Sequence, residues 1–323
     1  MGPLHAWHRA PGLHRRRAAA ALSGPLVALL LLAAAPPHAQ AAQTGVVSVA
    51  DGPPFSIIRG DKLLEATKGV RLLAGDLVET QPGNFVVAEL PGGAVVAFGP
   101  STRLYLLELA DVPTSTFLVL RGWLKLDAHV AGEGGLHRAI GLQLGGGVRQ
   151  GVFVLHVAEH RDEVFHETGV MTLLLRDDAA TRSERESKVT QFFTREDRNP
   201  VVVAPRPAAP FVAAMPVPFR DTLPEGLAKS QNAKVTEPKL IREVSYADIA
   251  DWLTIPRDWR GLFVRRFRGR LKDRAFFSAM DARLSLYPEW TRILHPPPPP
   301  PPPDENGSTA DRRNTTSPTS ENK

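Results

Sequence analysis

The sequence predicts a mainly β fold, either a β-sandwich or a β-roll, with a small C-terminal segment of three helices and a disordered tail. From Thr44 to about Leu175, short apolar runs alternate with turns rich in Gly, Asp and Pro. No helical periodicity of useful length interrupts these runs, and their spacing of about 8–12 residues favours an antiparallel β fold over an α/β sheet. A helical pattern begins only after residue 238, and a run of prolines from Pro296 to Pro303 follows it.

The clearest strand pair is predicted between residues 85 and 98. Residues 85–90 and 94–98 are two apolar runs joined by Pro91-Gly92-Gly93, and glycine supplies the positive φ angles that tight hairpin turns need. Further strands are predicted over residues 46–49, 103–107, 117–120, 123–126, 140–144, 152–157, 171–175 and 189–193. The glycine run 145–147 is predicted to mark a tight corner between strands.

Two further segments follow the β region. Residues 196–238 are rich in proline, which removes backbone donors, and are predicted to form an extended linker. Residues 239–295 are predicted to form three short helices, because apolar residues recur at helical spacing and Ser245 and Asp248 have the spacing of a capping box. The residues predicted to be buried in this helical segment include Ile249, Trp252, Leu253, Trp259, Leu262, Phe263, Phe267, Phe276, Met280, Leu284 and Trp290. Residues 296–323 are predicted to be a polyproline spacer and a disordered tail.

Residues 1–41 have the three parts of a cleavable signal peptide. Three arginines, Arg15 to Arg17, precede an apolar run over residues 26–35, and Ala39-Gln40-Ala41 offers small residues for cleavage. The apolar run is about half of the roughly 20 residues that a membrane-spanning helix needs. We therefore expect an exported, periplasmic protein; the alternatives are an inner-membrane protein anchored by an uncleaved N-terminal segment, or a secreted one.

Export changes what the composition implies. The sequence has 39 basic and 34 acidic residues, and the leader holds four of the basic ones and no acidic one, which leaves 35 against 34. The remaining chain is nearly neutral, so its charge gives no reason to expect nucleic-acid binding. It contains no cysteine, so the fold must be stabilised by an apolar core rather than by disulfides.

Turn and strand residues recur in a fixed order between residues 59 and 106. They are Gly60, Gly69, Leu73, Gly75-Asp76, Val78, Thr80, Glu89 to Gly93, Val95-Val96, Pro100 to Thr102 and Leu104, with Gly122-Trp123-Leu124 following later. This ordered series resembles the pattern of FecR-like domains, and the resemblance extends more loosely over residues 44–195. At Gly75-Asp76 we expect a tight turn in which the Asp side chain accepts hydrogen bonds from nearby amides.

The resemblance implies an envelope-facing β domain that acts in signalling or binding, without catalysis. FecR-type regulators carry a cytoplasmic anti-sigma domain before one membrane helix, whereas here 17 residues precede the apolar stretch that begins at Ala18. The late part of the family's pattern is also altered, with residues 148–153 in its place. We therefore expect an exported, stand-alone FecR-like module without the anti-sigma domain.

The sequence predicts no catalytic residue, no metal site and no cofactor, and hence a protein that is not an enzyme. It has no Gly-x-Ser-x-Gly motif and no phosphate-binding loop. His156, His160 and His166 could hold a metal only if a turn brought them together, and an exposed hairpin tip is the simpler interpretation.

Residues 257–274 form a basic segment with eight basic and two acidic residues. Interleaved aromatic residues make it amphipathic, which predicts contact with an anionic lipid surface or an acidic envelope polymer. The alternative is a solvated helix face whose arginine stems cover apolar surface. The residues assigned to the anionic contact are Arg260, Arg265, Arg266, Arg268 and Arg270.

The resulting functional hypothesis is a non-enzymatic, exported cell-envelope protein. Its FecR-like domain would bind a ligand or an envelope protein partner, with envelope signalling as one role. The alternative is a module that binds envelope polysaccharide or peptidoglycan.

Cleavage of the leader can be tested directly. If it is a signal peptide, the mature protein begins at Ala42 and is washed from the membrane fraction by carbonate, as a chain without a membrane anchor would be. N-terminal sequencing after cell fractionation measures both. A retained Met1 in the membrane fraction would instead identify an uncleaved anchor.

Overall fold

The computed structural model describes residues 43–107, 115–129, 135–176, 182–197, 199–225 and 235–298. All of them belong to one compact unit, Ala41–Lys323. The predicted signal peptide, residues 1–41, and the predicted tail beyond residue 298 lie outside the described residues.

The described part of the chain is mainly β, as predicted, and a few short helices follow the strands. The strands are β1 Gln43–Asp51, β2 Phe55–Arg59, β3 Lys62–Ala66, β4 Arg71–Leu73, β5 Leu77–Glu79, β6 Phe85–Glu89, β7 Val95–Phe98, β8 Arg103–Leu106, β9 Thr116–Asp127, β10 His137–Ile140, β11 Leu144–Val157, β12 Arg161–Arg176, β13 Arg182–Ser187, β14 Phe192–Glu196, β15 Val202–Ala204 and β16 Lys239–Glu243. The α-helices are α1 Ala209–Ala214, α2 Tyr246–Ile249, α3 Arg257–Phe267, α4 Arg274–Asp281 and α5 Thr291–Leu294.

The strands form one hydrogen-bonded sheet that is almost entirely antiparallel. Its main path runs β15-β14-β12-β11-β10-β9-β8-β5-β2-β3-β16, and β1, β4, β6, β7 and β13 pair alongside it. Among the named strands of the described residues, only β9 and β10 pair in parallel. The predicted hairpin is present, since Val86 pairs with Phe98 and Glu89 with Val95, and Gly92 and Gly93 have φ angles of 87° and 91°.

Several strands are buried on both faces. In β6, Val86 and Ala88 face the largest apolar core, whereas Val87 between them packs in a different cluster. In β7, Val96 and Phe98 face the large core, and their neighbours point the other way. Because side chains alternate between the faces of a strand, these continuous apolar runs need a cover on the outer face as well as a core on the inner one.

The C-terminal helices cover one outer face of the sheet. Trp252, Phe263 and Phe267 are at most 1% exposed and pack in one cluster with Tyr105 and Leu118 of the strands. The rings of Tyr105 and Phe263 meet edge to face, with centroids 5.4 Å apart. The helical segment therefore docks on the β domain and shares a core with it.

The predicted capping box of Ser245 and Asp248 is present, and it begins helix α2. Asp248 accepts a hydrogen bond from the Ser245 backbone N–H at 2.7 Å. Burial alone would raise the pKa of Asp248, but hydrogen bonds from Arg242 and Ser245 lower it to about 2. The segment differs from the prediction at its start and in its helix count, because residues 239–243 are strand β16, paired with β3, and four short α-helices follow.

The prediction of a linker over residues 196–238 is wrong for its described part. Residues 199–225 pack on another outer face as an arm that contains β15 and α1, in which Phe211, Phe219 and Leu223 are at most 2% exposed. Proline removes backbone donors, but it leaves the arm free to bury these apolar side chains against Trp123 and the strands around it. Residues 226–234 lie outside the described residues.

Two smaller strand predictions are also corrected. The glycine run 145–147 is not a corner but lies inside β11, where a Cβ at Gly146 would sit 2.8 Å from the ring of Phe153. The glycine makes room for that ring. Strand β13 was not predicted, because its sequence, Arg182–Ser187, is polar and charged throughout.

Lys125 holds the arm in place. Its side chain is 1% exposed, and its ammonium donates to the carbonyl oxygens of Phe219 at 2.9 Å and Asp221 at 3.0 Å. It also pairs with Glu167 at 2.9 Å. A buried ammonium is costly unless its donors are used, and here three acceptors use them.

We expect Lys125→Met to loosen the arm and to lower the free energy of unfolding by about 2–3 kcal/mol, because the carbonyls of Phe219 and Asp221 lose their donor. Urea denaturation measures the stability, and limited proteolysis within residues 199–225 reports the arm. Lys125→Met combined with Glu167→Gln separates the two contributions. If the double variant recovered wild-type stability, the carbonyl contacts would not be the anchor.

Candidate functional site

The turn at Gly75-Asp76 is the junction between the sheet and α3. Gly75 has a φ of 89°, and the buried Asp76 carboxylate accepts the Leu73 N–H at 2.9 Å, as the sequence predicted. Arg59 binds the same carboxylate through two nitrogens, at 2.9 and 2.8 Å. From α3, Arg266 donates to the carbonyl oxygens of Gly75, Ile58 (2.6 Å) and Gly60 (3.0 Å).

A second group of charges joins the sheet to α2 and the turn that follows it. Arg103, which is 6% exposed, donates to the Asp251 carboxylate at 2.5 Å and to the Asp248 carbonyl at 2.6 Å. Arg121 bonds to the same Asp251 at 3.1 Å and to Glu79 at 3.0 Å. The carboxylate of Asp251 therefore bridges two strand arginines and fixes the first turn of the helical segment.

The structure divides the five arginines predicted to contact an anionic surface. Arg266 is committed to the carbonyls of the turn junction. Arg260 donates to the Ile255 carbonyl at 2.6 Å, and Arg270 to the Val244 carbonyl at 2.9 Å. Arg265 and Arg268 are exposed, and neither has a hydrogen bond or ion pair to another described residue. Two of the five therefore remain open to an external partner.

The three clustered histidines have separate partners. His156 stacks on Trp123, with centroids 3.9 Å apart, and bonds to Glu163 at 2.8 Å. His160 lies at the exposed tip of the β11–β12 hairpin and bonds to Asp197 at 3.0 Å. His166 is fully buried inside β12. Within the described ranges, no group of three or more His, Cys, Asp or Glu side chains could hold a metal ion.

Two polar pairs were missed by the sequence reasoning, because their members are joined by strand pairing or by a local bend. The Ser187 hydroxyl lies 2.6 Å from Nδ1 of His166, whose Nε2 lies 3.1 Å from the Thr168 carbonyl oxygen. Asp127 pairs with His129, whose Nε2 lies 3.5 Å from the Thr168 hydroxyl. The first pair is buried, and the second contact is too long to activate a hydroxyl.

A cleft of about 490 Å³ lies between the sheet and α3. Most of its wall is apolar, and its lining comes from the five strands β9 to β13, from Leu107 after β8 and from α3. Its described lining residues are Leu107, Thr116, Arg138, Ile140, Leu144, Leu174, Leu175, Arg176, Ser183, Glu184, Asp258, Trp259 and Leu262. A concave apolar wall with a few polar groups is typical of a binding site.

The polar side of the cleft is ordered by Arg176. Its guanidinium forms an ion pair with Asp258 and lies 4.0 Å from the centroid of the Trp259 ring. This stacking fixes the indole, which is 5% exposed, as part of the wall. Arg138 and Glu184 add one charge of each sign to the lining.

Asp162 supports the cleft from behind. Its fully buried carboxylate accepts the backbone N–H groups of Gln143 at 2.5 Å and of the lining residue Leu144 at 2.9 Å. Burial raises the pKa of Asp162 to about 6, against the opposing effect of these hydrogen bonds. The turn that contains Leu144 is thus hydrogen-bonded to a carboxylate whose pKa lies in the mildly acidic range.

No protein-family model matches the chain. No curated protein matches it either. Among solved structures, two crystal structures of a "putative anti-sigma factor" from Parabacteroides distasonis ATCC 8503 are similar, at 15% and 16% identity and a TM-score of 0.35 each. Each match covers 42% of this chain, and 63% and 62% of the other chains, which is less than two thirds of their length. A TM-score of this size does not establish a shared fold. Among the described helices, none is both long and apolar enough to cross a bilayer.

The pKa of Asp162 predicts the direction of a pH effect. The folded state holds the proton up to about pH 6, whereas the unfolded chain releases it near 3.8. Stability therefore falls as pH rises through this window, by up to about 3 kcal/mol from this group. In Asp162→Asn this fall should be absent. Urea denaturation of the wild type and Asp162→Asn between pH 4 and about 7 measures the difference in their free energies of unfolding. The contributions of the other titratable groups cancel in this difference. Equal pH slopes in the two proteins would show that Asp162 is not the titrating group.

Proposed function

We propose that this chain is a non-enzymatic, exported cell-envelope protein whose FecR-like β domain binds a protein partner, with envelope signalling as its role. The observation that carries the proposal is the cleft of about 490 Å³ between the sheet and α3. The cleft is walled by two parts of one compact unit, so a bound partner would contact both the β domain and the helical segment.

The chemistry of the cleft supports a partner with an apolar anchor. Leu174, Leu175, Leu262 and the Trp259 ring offer apolar surface, which accounts for most binding free energy at protein interfaces. Arg138 and Glu184 can orient polar groups around that anchor. An extended apolar segment or a helix side of a partner protein has these properties.

The same cleft supports binding over catalysis. Its described lining includes two hydroxyl groups, on Thr116 and Ser183, but no histidine beside either that could act as a base. The side chains of Arg176 and Asp258 are paired with each other. Their ion pair stabilises the wall of the cleft, and it leaves neither group free to stabilise charge that develops on a substrate.

The geometry of the Gly75-Asp76 turn supports the interpretation of the β domain as FecR-like. The positive φ of Gly75 and the amide hydrogen bond to Asp76 are what the resembling residues require. This chain adds the contact of Arg266 to that turn. The helical segment is thereby tied to the part of the domain in which the resemblance is strongest.

A charge placed in the cleft tests the proposal. In Leu262→Arg the cleft wall gains a guanidinium, and capture of a protein partner from envelope extracts should fall at least about tenfold. The matched control is Leu286→Arg, the same change at a residue of the helical segment that is 53% exposed and outside the cleft lining. Quantitative mass spectrometry of proteins captured by the wild type and both variants gives the comparison.

The alternative, a polysaccharide- or peptidoglycan-binding module, has a different outcome in a parallel experiment. Purified cell-wall material is sedimented with the same three proteins. If the wall material sediments the protein and no captured protein depends on Leu262, the partner-binding proposal is wrong. If a captured protein depends on Leu262 but not on Leu286, the proposal stands.

A further inference from the structure

The solvent face of α3 is cationic. Trp259, Phe263 and Phe267 recur every four residues and are buried against the sheet. Arg257 and Arg265, eight residues apart, lie on the opposite face of the helix. Arg268 continues this row at the C-terminal end, where its backbone is still helical. We call Arg257, Arg265 and Arg268 the basic face.

The acids of this segment do not neutralise the basic face. Asp258 pairs with Arg176, and Asp273 accepts hydrogen bonds from Arg270 and from the first amides of α4. Arg257 is 75% exposed and forms an ion pair with Glu289 at 3.6 Å, so the unpaired cations of the basic face, among the described residues, are Arg265 and Arg268. Two more exposed cations, Lys272 and Arg274, follow in the chain, and neither they nor Arg265 and Arg268 have a partner among the described residues.

The shape of the face indicates what it can contact. Gly261 lies between Arg257 and Arg265, and no atom comes within 4 Å of the position that a Cβ would take there. The face is therefore convex and open, without the concavity that a small ligand needs. The apolar stripe of α3 is buried in the core, so it is not free to insert into a bilayer.

We propose that the basic face binds the anionic headgroups of a lipid bilayer, with α3 lying along the membrane surface and without insertion. A convex row of cations matches a flat layer of phosphates, since several side chains can reach the layer together. The guanidinium binds phosphate with two hydrogen bonds, and all three residues of the face are arginines. The inference does not depend on the partner-binding cleft, because none of these three residues lines it.

Binding of this kind is electrostatic and should depend on salt. Each basic residue near an anionic bilayer contributes roughly a factor of five to the affinity. Arg265→Gln with Arg268→Gln should therefore weaken binding about 25-fold, and the corresponding Glu pair should weaken it further. Raised salt should weaken the wild type in the same way, because screening shortens the reach of surface charges.

The experiment uses the purified chain without residues 1–41, since an apolar leader would itself bind lipid. Sedimentation with phosphatidylglycerol-rich vesicles and with pure phosphatidylcholine vesicles measures the affinity of the wild type, the Gln pair and the Glu pair. The matched control is Arg149→Glu with Lys188→Glu, which makes the same charge change at two exposed residues. Thermal unfolding of each variant shows whether the fold is intact.

Binding to the anionic vesicles that is lost in the Glu pair, reduced in the Gln pair and kept in the Arg149/Lys188 control supports the inference. Any of three results would overturn it. The first is a wild type that does not bind anionic vesicles. The second is equal binding by the Glu pair and the wild type, and the third is a loss of binding in the control as large as that in the Glu pair.

A competition experiment with soluble polyphosphate identifies the source of the phosphate groups. If the protein binds polyphosphate through Arg265 and Arg268 but does not bind vesicles, the basic face binds a soluble polymer and the lipid proposal is overturned.

Discussion

The structure depends on one constraint, which is that its strands are apolar on both faces. Successive residues of β6 and β7 alternate between the large inner core and an outer cluster. An outer face of this kind, left in water, would expose a large apolar area. Two parts of the chain cover these outer faces. The helical segment packs on one of them, and the arm of residues 199–225 packs on another. The cleft and the basic face are consequences of the first cover.

Long cationic side chains secure both covers. Lys125 reaches out of the sheet to two carbonyls of the arm, and Arg266 reaches from α3 to three carbonyls around the Gly75-Asp76 turn. Backbone carbonyls at turns have no strand partner, so a buried cation can satisfy several of them together. Apolar packing brings each cover to the sheet, and these directional bonds set its position.

The sequence predicts the strands, the helical segment and the capping box, because these depend on local periodicity and turn chemistry. The prediction failed for the arm, since proline content says nothing about whether Phe211 and Phe219 find a surface to bury against. A signal was present in the uninterrupted apolar run of residues 85–88, because a strand with one solvated face would alternate with polar residues. The polar strand β13 and the cleft depend on pairing between distant segments, which no local pattern contains.

The arginines of α3 show that a count of charges cannot predict which side chains are exposed to solvent. The count of residues 257–274 gives the sum of charges, but the phase of the helix decides which of them reach solvent. Relative to the buried Trp259, Phe263 and Phe267, the position of Arg266 turns inward, and that of Arg265 turns outward. The chain after residue 41 is nearly neutral, so it generates no strong overall field that would steer it to an anionic surface. Attraction to such a surface must then come from a local, oriented row of cations, which makes the direction in which α3 faces, rather than net charge, the property that determines contact.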